Sequence, residues 1–208
     1  MVILGSKGFA KEVLEILYQL NQQKGVCFFD NVSSDLPEKL FGEFKIIKSL
    51  EELKQEFKQD NLYTIGVGDA KSRYKLSELA KTAGGDLCSI ISPFAQVGHY
   101  GTQLGKGCSI MTGSVITNDV ILMEGVLLNL TSTVGHDTVI GKYCDISPGV
   151  NISGGCVIGD FCNIGTGAKL LPKLKIGNNV SIGAGAVVTK NVPDNTTVVG
   201  IPAKPLQK

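Results

Sequence analysis

From Leu104 onward an aliphatic residue returns at every sixth position: Leu104, Ile110, Ile116, Leu122, Leu128, Val134, Ile140, Ile146, Ile152, Ile158, Ile164, Leu170, Ile176, Ile182 and Val188. The run of fifteen contains no insertion, which marks an internal repeat rather than an amphipathic helix. Two positions before each aliphatic stands a small or β-branched residue, Leu174 excepted. In an extended segment, residues two apart face the same side, so both members of each pair point inward. The residue after the aliphatic is Gly in seven of the fifteen hexads, and is read as a turn that uses glycine's φ freedom. Three hexads close a triangular coil, and coils stack at ~4.8 Å through backbone hydrogen bonds. The pattern predicts a parallel β-helix of hexapeptide repeats, nearly five coils tall over 104–188.

Residues 1–91 follow another pattern, in which short apolar runs alternate with amphipathic stretches. "VIL" (2–4) leads through "GSKGFA" into the helical "KEVLEILYQL", and "VCFF" (26–29) ends at Asp30-Asn31. "FKII" (44–47) precedes the helix "SLEELKQEF", in which Ser49 and Glu52 have capping-box spacing. "LYTIGVG" (62–68) precedes "AKSRYKLSELAKTAG", and "LCSII" (87–91) closes the segment before Pro93. Strands alternating with helices predict a small parallel, Rossmann-like sheet over 1–92, joined to the β-helix and a tail over 93–208. Ligands of such sheets bind beyond the carboxyl ends of the strands. Here those ends are "GSKGF", "DN" and "GVGDAKSR". "GSKGFA" lacks the G-x-G-x-x-G fingerprint, so a nicotinamide dinucleotide is not expected.

Charge and cysteine content narrow the function. A formal net charge of +1 without a Lys/Arg cluster argues against nucleic acid. No apolar run reaches the length of a membrane span and no signal peptide opens the chain, so a cytoplasmic protein without membrane insertion is expected. The six cysteines form no C-x-x-C pair. Cys108, Cys144, Cys156 and Cys162 occupy the small inward position of the hexad, while Cys27 and Cys88 fall in predicted strands. All six are expected reduced and metal-free, as small buried hydrophobes. His99 and His136 are the only histidines, and a zinc site needs three or four ligands, so no metal is expected. His136 comes two residues after Val134, at a coil corner, and should project outward.

The whole chain resembles the bacterial nucleotide-sugar N-acetyltransferases of bacillosamine and perosamine type and the related sialic-acid O-acetyltransferases. The stretches that carry the resemblance are "GSKGFAKEV", "FFDN", "IGVGDAKSR", "ISPFAQVG", "NLTSTVGHDTVIG", "ISGGCVIGDFCNIGTGA", "IGAGAVVTKNVPD" and "GIPAKPL". The resemblance implies a left-handed β-helix, acetyl-CoA as cosubstrate and a homotrimer with the CoA groove between adjacent subunits. It makes His136 the general base, Asp137 the carboxylate that holds its ring, Asn129 a pocket residue and the Gly154 backbone N–H an oxyanion donor. It assigns Gly154, Thr166, Ala184, Gly185 and the "GIPAKP" tail to CoA, with Lys190 and Lys204 near its phosphates. Gly5, Ser6, Gly8, Asp30, Asn31, Gly68, Asp69 and Arg73 match its nucleotide-sugar pocket; Phe9 stands where several relatives carry a substrate-contacting His. Asp30 is expected to accept hydrogen bonds from base or ribose, and Arg73 either to meet a phosphate or to sit on a helix surface. The implied reaction is direct transfer of an acetyl group to the amine of a nucleotide-linked sugar. O-acetylation of a sialic acid, and a non-catalytic nucleotide-sugar-binding protein, stay open beside it.

Overall fold

The computed structural model describes residues 1–206. The front half contains β1 (Val2–Leu4), α1 (Gly8–Gln19), β2 (Cys27–Phe29), β3 (Lys39–Leu40), β4 (Phe44–Ile47), α2 (Leu50–Phe57), β5 (Leu62–Ile65), α3 (Ala70–Thr82) and β6 (Asp86–Leu87). They build one sheet in the order β3-β4-β2-β1-β5-β6, parallel throughout except for the β3–β4 edge. Val2, Ile3 and Leu4 of the central strand are fully buried because helices cover both faces. Ala10, Val13, Leu14 and Leu17 of α1 pack with Ile3, Phe28 and Ile46 on one face. Leu53 and Phe57 of α2 and Ala80 of α3 pack with Val2, Leu4, Phe29 and Tyr63 on the other. The capping box of α2 forms: Glu52 N–H donates to Ser49 Oγ at 3.2 Å, and Ser49 N–H to Glu52 Oε2 at 3.3 Å.

The back half is a triangular prism of two-residue rungs. The first face stacks Ile90–Ile91, Ser109–Ile110, Leu127–Leu128, Asp145–Ile146, Asn163–Ile164 and Ser181–Ile182, closed by Thr197–Val199 and an antiparallel Lys204–Pro205. The second runs from Gln96–Val97 to Val187–Val188, and the third from Gln103–Leu104 to Lys175–Ile176. Register repeats every coil, with Leu128 opposite Ile146, Val134 opposite Ile152 and Ile140 opposite Ile158. The periodic aliphatics from Ile110 onward and Cys108, Cys144, Cys156 and Cys162 fill one core, as the hexad register predicts.

Three expectations are corrected. "LCSII" is two strands rather than one: β6 ends the front sheet at Leu87, and Ile90–Ile91 is the first rung of the prism. Cys88 therefore lies between strands, only partly buried, with its thiol donating to Tyr63 O at 3.2 Å. The glycines that follow the aliphatics are not the left-handed residues. Left-handed φ falls two residues later, at positions such as Gly125, Thr131, Asp137 and Tyr143. The earlier glycine answers to space: a Cβ on Gly135 would stand 2.5 Å from Gly154 N in the next coil. The edge strand β3 was not anticipated either, since two residues carry no periodicity.

The halves are packed together. Ile90, Met111 and Leu127 of the prism join the cluster beneath α1. Tyr74 of α3 meets Tyr143 and Phe161 edge-on, with ring centroids 5.3 and 5.7 Å away. Lys81 Nζ donates to Glu124 Oε1 at 2.8 Å, and the Tyr143 hydroxyl donates to the same oxygen at 2.7 Å.

Candidate active site

The coil period decides what stands beside His136. His136 turns the edge between the second and third faces, and Gly154 occupies the same corner one coil on. A Cβ on Gly154 would lie 2.7 Å from both Cε1 and Nε2 of the imidazole, so only glycine leaves room for the ring. Gly155 N–H donates to His136 O at 2.7 Å and fixes the two corners against each other. Asp137 takes the left-handed conformation, φ 57°, and its Oδ2 is 2.6 Å from His136 Nδ1. A carboxylate only accepts, so in the neutral ring the proton sits on Nδ1 and the lone pair on Nε2. Nε2 has no hydrogen-bond partner among the described residues, and the ring is exposed. The Gly154 N–H likewise donates to nothing among the described residues, leaving a donor beside the imidazole.

The remaining transfer candidates lie on another edge. Asn129, Thr166, Ala184 and Gly185 belong to corners between the first and second faces. Gly185 N–H donates to Thr166 O at 2.8 Å, which stacks those corners, and Asn129 Oδ1 accepts from Leu130 N–H at 2.7 Å. Within one chain the structure does not bring these residues to His136. Lys190 and Lys204 do share a cavity of about 280 Å³ between the last coil and the tail.

A second cavity, about 530 Å³, opens at the carboxyl ends of β1, β2 and β5, and seven of the nine pocket candidates line it: Gly5, Ser6, Gly8, Phe9, Asp30, Asn31 and Gly68. Lys7 precedes α1 without a side-chain cap, so helix N–H donors open towards the cavity. Asp30 is bonded within the protein. Its Oδ2 accepts from Ser6 Oγ at 2.6 Å and Ser33 Oγ at 3.1 Å, its Oδ1 from Ser33 N–H at 3.0 Å and Val32 N–H at 3.2 Å. Partial burial works against its ionised form, but the bonds from Ser6, Ser33 and Val32 outweigh it and hold the carboxyl below its usual range. Asp30 thus shapes the loop that lines the cavity.

Asp69 and Arg73 fall outside the cavity lining. Asp69 caps α3, accepting from Ser72 N–H at 2.8 Å. Arg73 is fully buried, which corrects both expectations for it, the phosphate ligand and the surface residue. Sequence reading missed Ser72, Lys75 and Leu76, which line the cavity from α3. Their spacing of three and four after "GVGD" is the signal that a helix face follows the loop.

Residues 1–79 match the PglD N-terminal domain and residues 155–190 the bacterial transferase hexapeptide (six repeats). The acetyltransferase domain of PglB from Neisseria gonorrhoeae is 32% identical with a TM-score of 0.90, the alignment covering 99% of this chain and 98% of that one. The chain belongs to the PglD-like family. It is therefore a member of a family of acetyl-CoA-dependent sugar N-acetyltransferases. A variant of perosamine N-acetyltransferase from Caulobacter crescentus, in complex with CoA and GDP-perosamine, is 29% identical with a TM-score of 0.91, over 100% of this chain and 96% of that one. WeeI from Acinetobacter baumannii is 28% identical with a TM-score of 0.89, over 99% and 98% of the two chains. No curated protein matches by sequence. Among the described residues no cluster of three His, Cys, Asp or Glu side chains is arranged to hold a metal, and no helix is long and apolar enough to cross a membrane.

Proposed function

We propose that this PglD-like chain transfers the acetyl group of acetyl-CoA to the amine of a nucleotide-linked amino sugar, with His136 as general base. The observation that carries the proposal is the His136 ring. Its Nδ1 is held 2.6 Å from Asp137 and its Nε2 is free, beside the unused N–H of Gly154. Two supports come from similar proteins: perosamine N-acetyltransferase binds CoA and GDP-perosamine, and the PglB domain binds acetyl coenzyme A.

The chemistry follows from the arrangement. A thioester is already activated, so a neutral amine attacks its carbonyl directly within a ternary complex. As the C–N bond forms, the amine's proton passes to Nε2, and Asp137 stabilises the resulting imidazolium. The carbonyl oxygen gains negative charge, which the Gly154 N–H can receive. Collapse expels the CoA thiolate, and the proton on Nε2 is available to it. No metal and no acyl-enzyme enter this sequence.

We further propose a homotrimer. The acceptor cavity lies against the first face, where Gly68 approaches Asp145, whereas His136 rides on the edge opposite that face. The edge of Asn129, Thr166, Ala184 and Gly185 is separate again. Packing three prisms side by side sets the His136 edge of one chain against the other edge of its neighbour, with CoA between them and Lys190 and Lys204 near its phosphates. Leu130 on one edge, Leu171 on the other and Val157 on the third face are exposed apolar residues that such packing covers. All six cysteines are free, which fits the reducing cytoplasm.

The test is a panel of UDP-, dTDP-, GDP- and CMP-linked sugars with acetyl-CoA, following thiol release and the acetylated product. N-acetylation of one amino sugar nucleotide supports the proposal. An O-acetyl product, or no thiol release with any of them, overturns it.

A further inference from the structure

Arg73 is fully buried, yet it forms no ion pair among the described residues. Its guanidinium reaches carbonyls from both halves of the molecule. Nη1 donates to Val67 O at 3.0 Å, while Nη2 and Nε donate to Gly125 O at 2.7 and 3.3 Å. Val67 precedes Gly68 in the wall of the acceptor cavity, and its Cγ1 would touch a Cβ on Gly5 at 2.9 Å. Gly125 turns the edge between the third and first faces of the prism, backed by the ring of Tyr143, which a Cβ there would meet at 2.5 Å. One side chain therefore links the prism, the wall of the cavity and, through Val67, the loop that opens α1. An apolar residue would join two packed surfaces without the desolvation of a cation. What the guanidinium adds is a planar fork with fixed directions.

We propose that Arg73 is a positioning residue for acyl transfer. It fixes the Val67–Gly68 wall to the β-helix and so sets the angle at which an acceptor leaves its pocket towards the thioester. The inference rests on the acetyltransferase reading above. Misplacement of reacting atoms by about 1 Å can cost roughly a hundredfold in rate, so such a link acts on turnover more than on binding.

The experiment compares Arg73→Lys and Arg73→Gln with the parent in the full-length assembled protein. GDP, UDP and CoA are titrated by calorimetry, and kcat and KM are measured with the sugar nucleotide that the parent acetylates. The expected result is a kcat lowered at least about tenfold, with nucleotide and CoA affinities within about threefold and no rescue by lysine, which keeps the charge but not the fork. A purely structural role would lower Tm and leave kcat per mole of folded protein unchanged. That result, or a loss confined to nucleotide affinity, overturns the proposal. If neither variant assembles, Tyr143→Leu carries the test, because it removes the ring that backs Gly125, whose carbonyl Arg73 holds, and leaves the cavity lining unchanged. A kcat lowered about two- to fivefold at unchanged nucleotide affinity supports the proposal, and an unchanged kcat overturns it. A parent that acetylates no sugar nucleotide refutes the functional reading itself, and the inference with it.

Discussion

Asp145 shows how one side chain records where the two halves meet. It stands on the first face of the prism under Gly68, and its Oδ1 is buried without a hydrogen-bond partner. Burial raises its pKa from 3.8 to about 6, against the opposing pull of Arg73 and with some help from Asp69. The folded form therefore binds a proton more tightly than the unfolded form between those two values. Stability falls as pH rises through that window, and the full cost stands above it. A rise of that size corresponds to roughly 3 kcal/mol at neutral pH. Asp145→Asn cannot ionise, so thermal denaturation should find it more stable than the parent at about pH 7.5, with the difference gone near about pH 3.5. Equal melting temperatures at the higher pH would contradict this.

Among the elements, the coil corner sets the rules. Gly135 meets the backbone of the next coil, whereas Gly149 has left-handed φ, 69°, and open space around its Cβ position. Gly149→Ala should cost about 1 kcal/mol from backbone strain alone, and Gly135→Ala clearly more, since coils must part beside His136. Denaturant unfolding of the two variants checks the order, and equal losses would refute the spacing argument. The repeats were legible because a register that recurs fifteen times leaves one solution for the coil. His136 was legible as an outward corner residue because the hexad fixes which positions face in. Gly154 as its neighbour follows from the same period. Arg73, Asp30 and Asp145 were not legible, because their roles depend on how the sheet docks on the prism, which no local pattern encodes. Nor was the break inside "LCSII", where one apolar run serves two sheets.

At the scale of the molecule, the proposed acceptor cavity and the His136 edge lie on opposite sides of one prism. The proposed site, shared between neighbouring chains, makes activity depend on assembly. Light scattering should report a trimer, and Leu171→Glu should disrupt it and remove activity together; a stable, active monomer would refute the shared site. Mixed oligomers of His136→Asn and Asp30→Ala should regain turnover that neither variant shows alone at low acceptor concentration. The claim on which the rest depends is that His136 accepts the amine's proton, and steady-state kinetics of His136→Asn test it most directly. The account predicts unchanged fold and acetyl-CoA affinity with kcat lowered roughly 10²–10⁴-fold. A variant that turns over at the parent's kcat would contradict it.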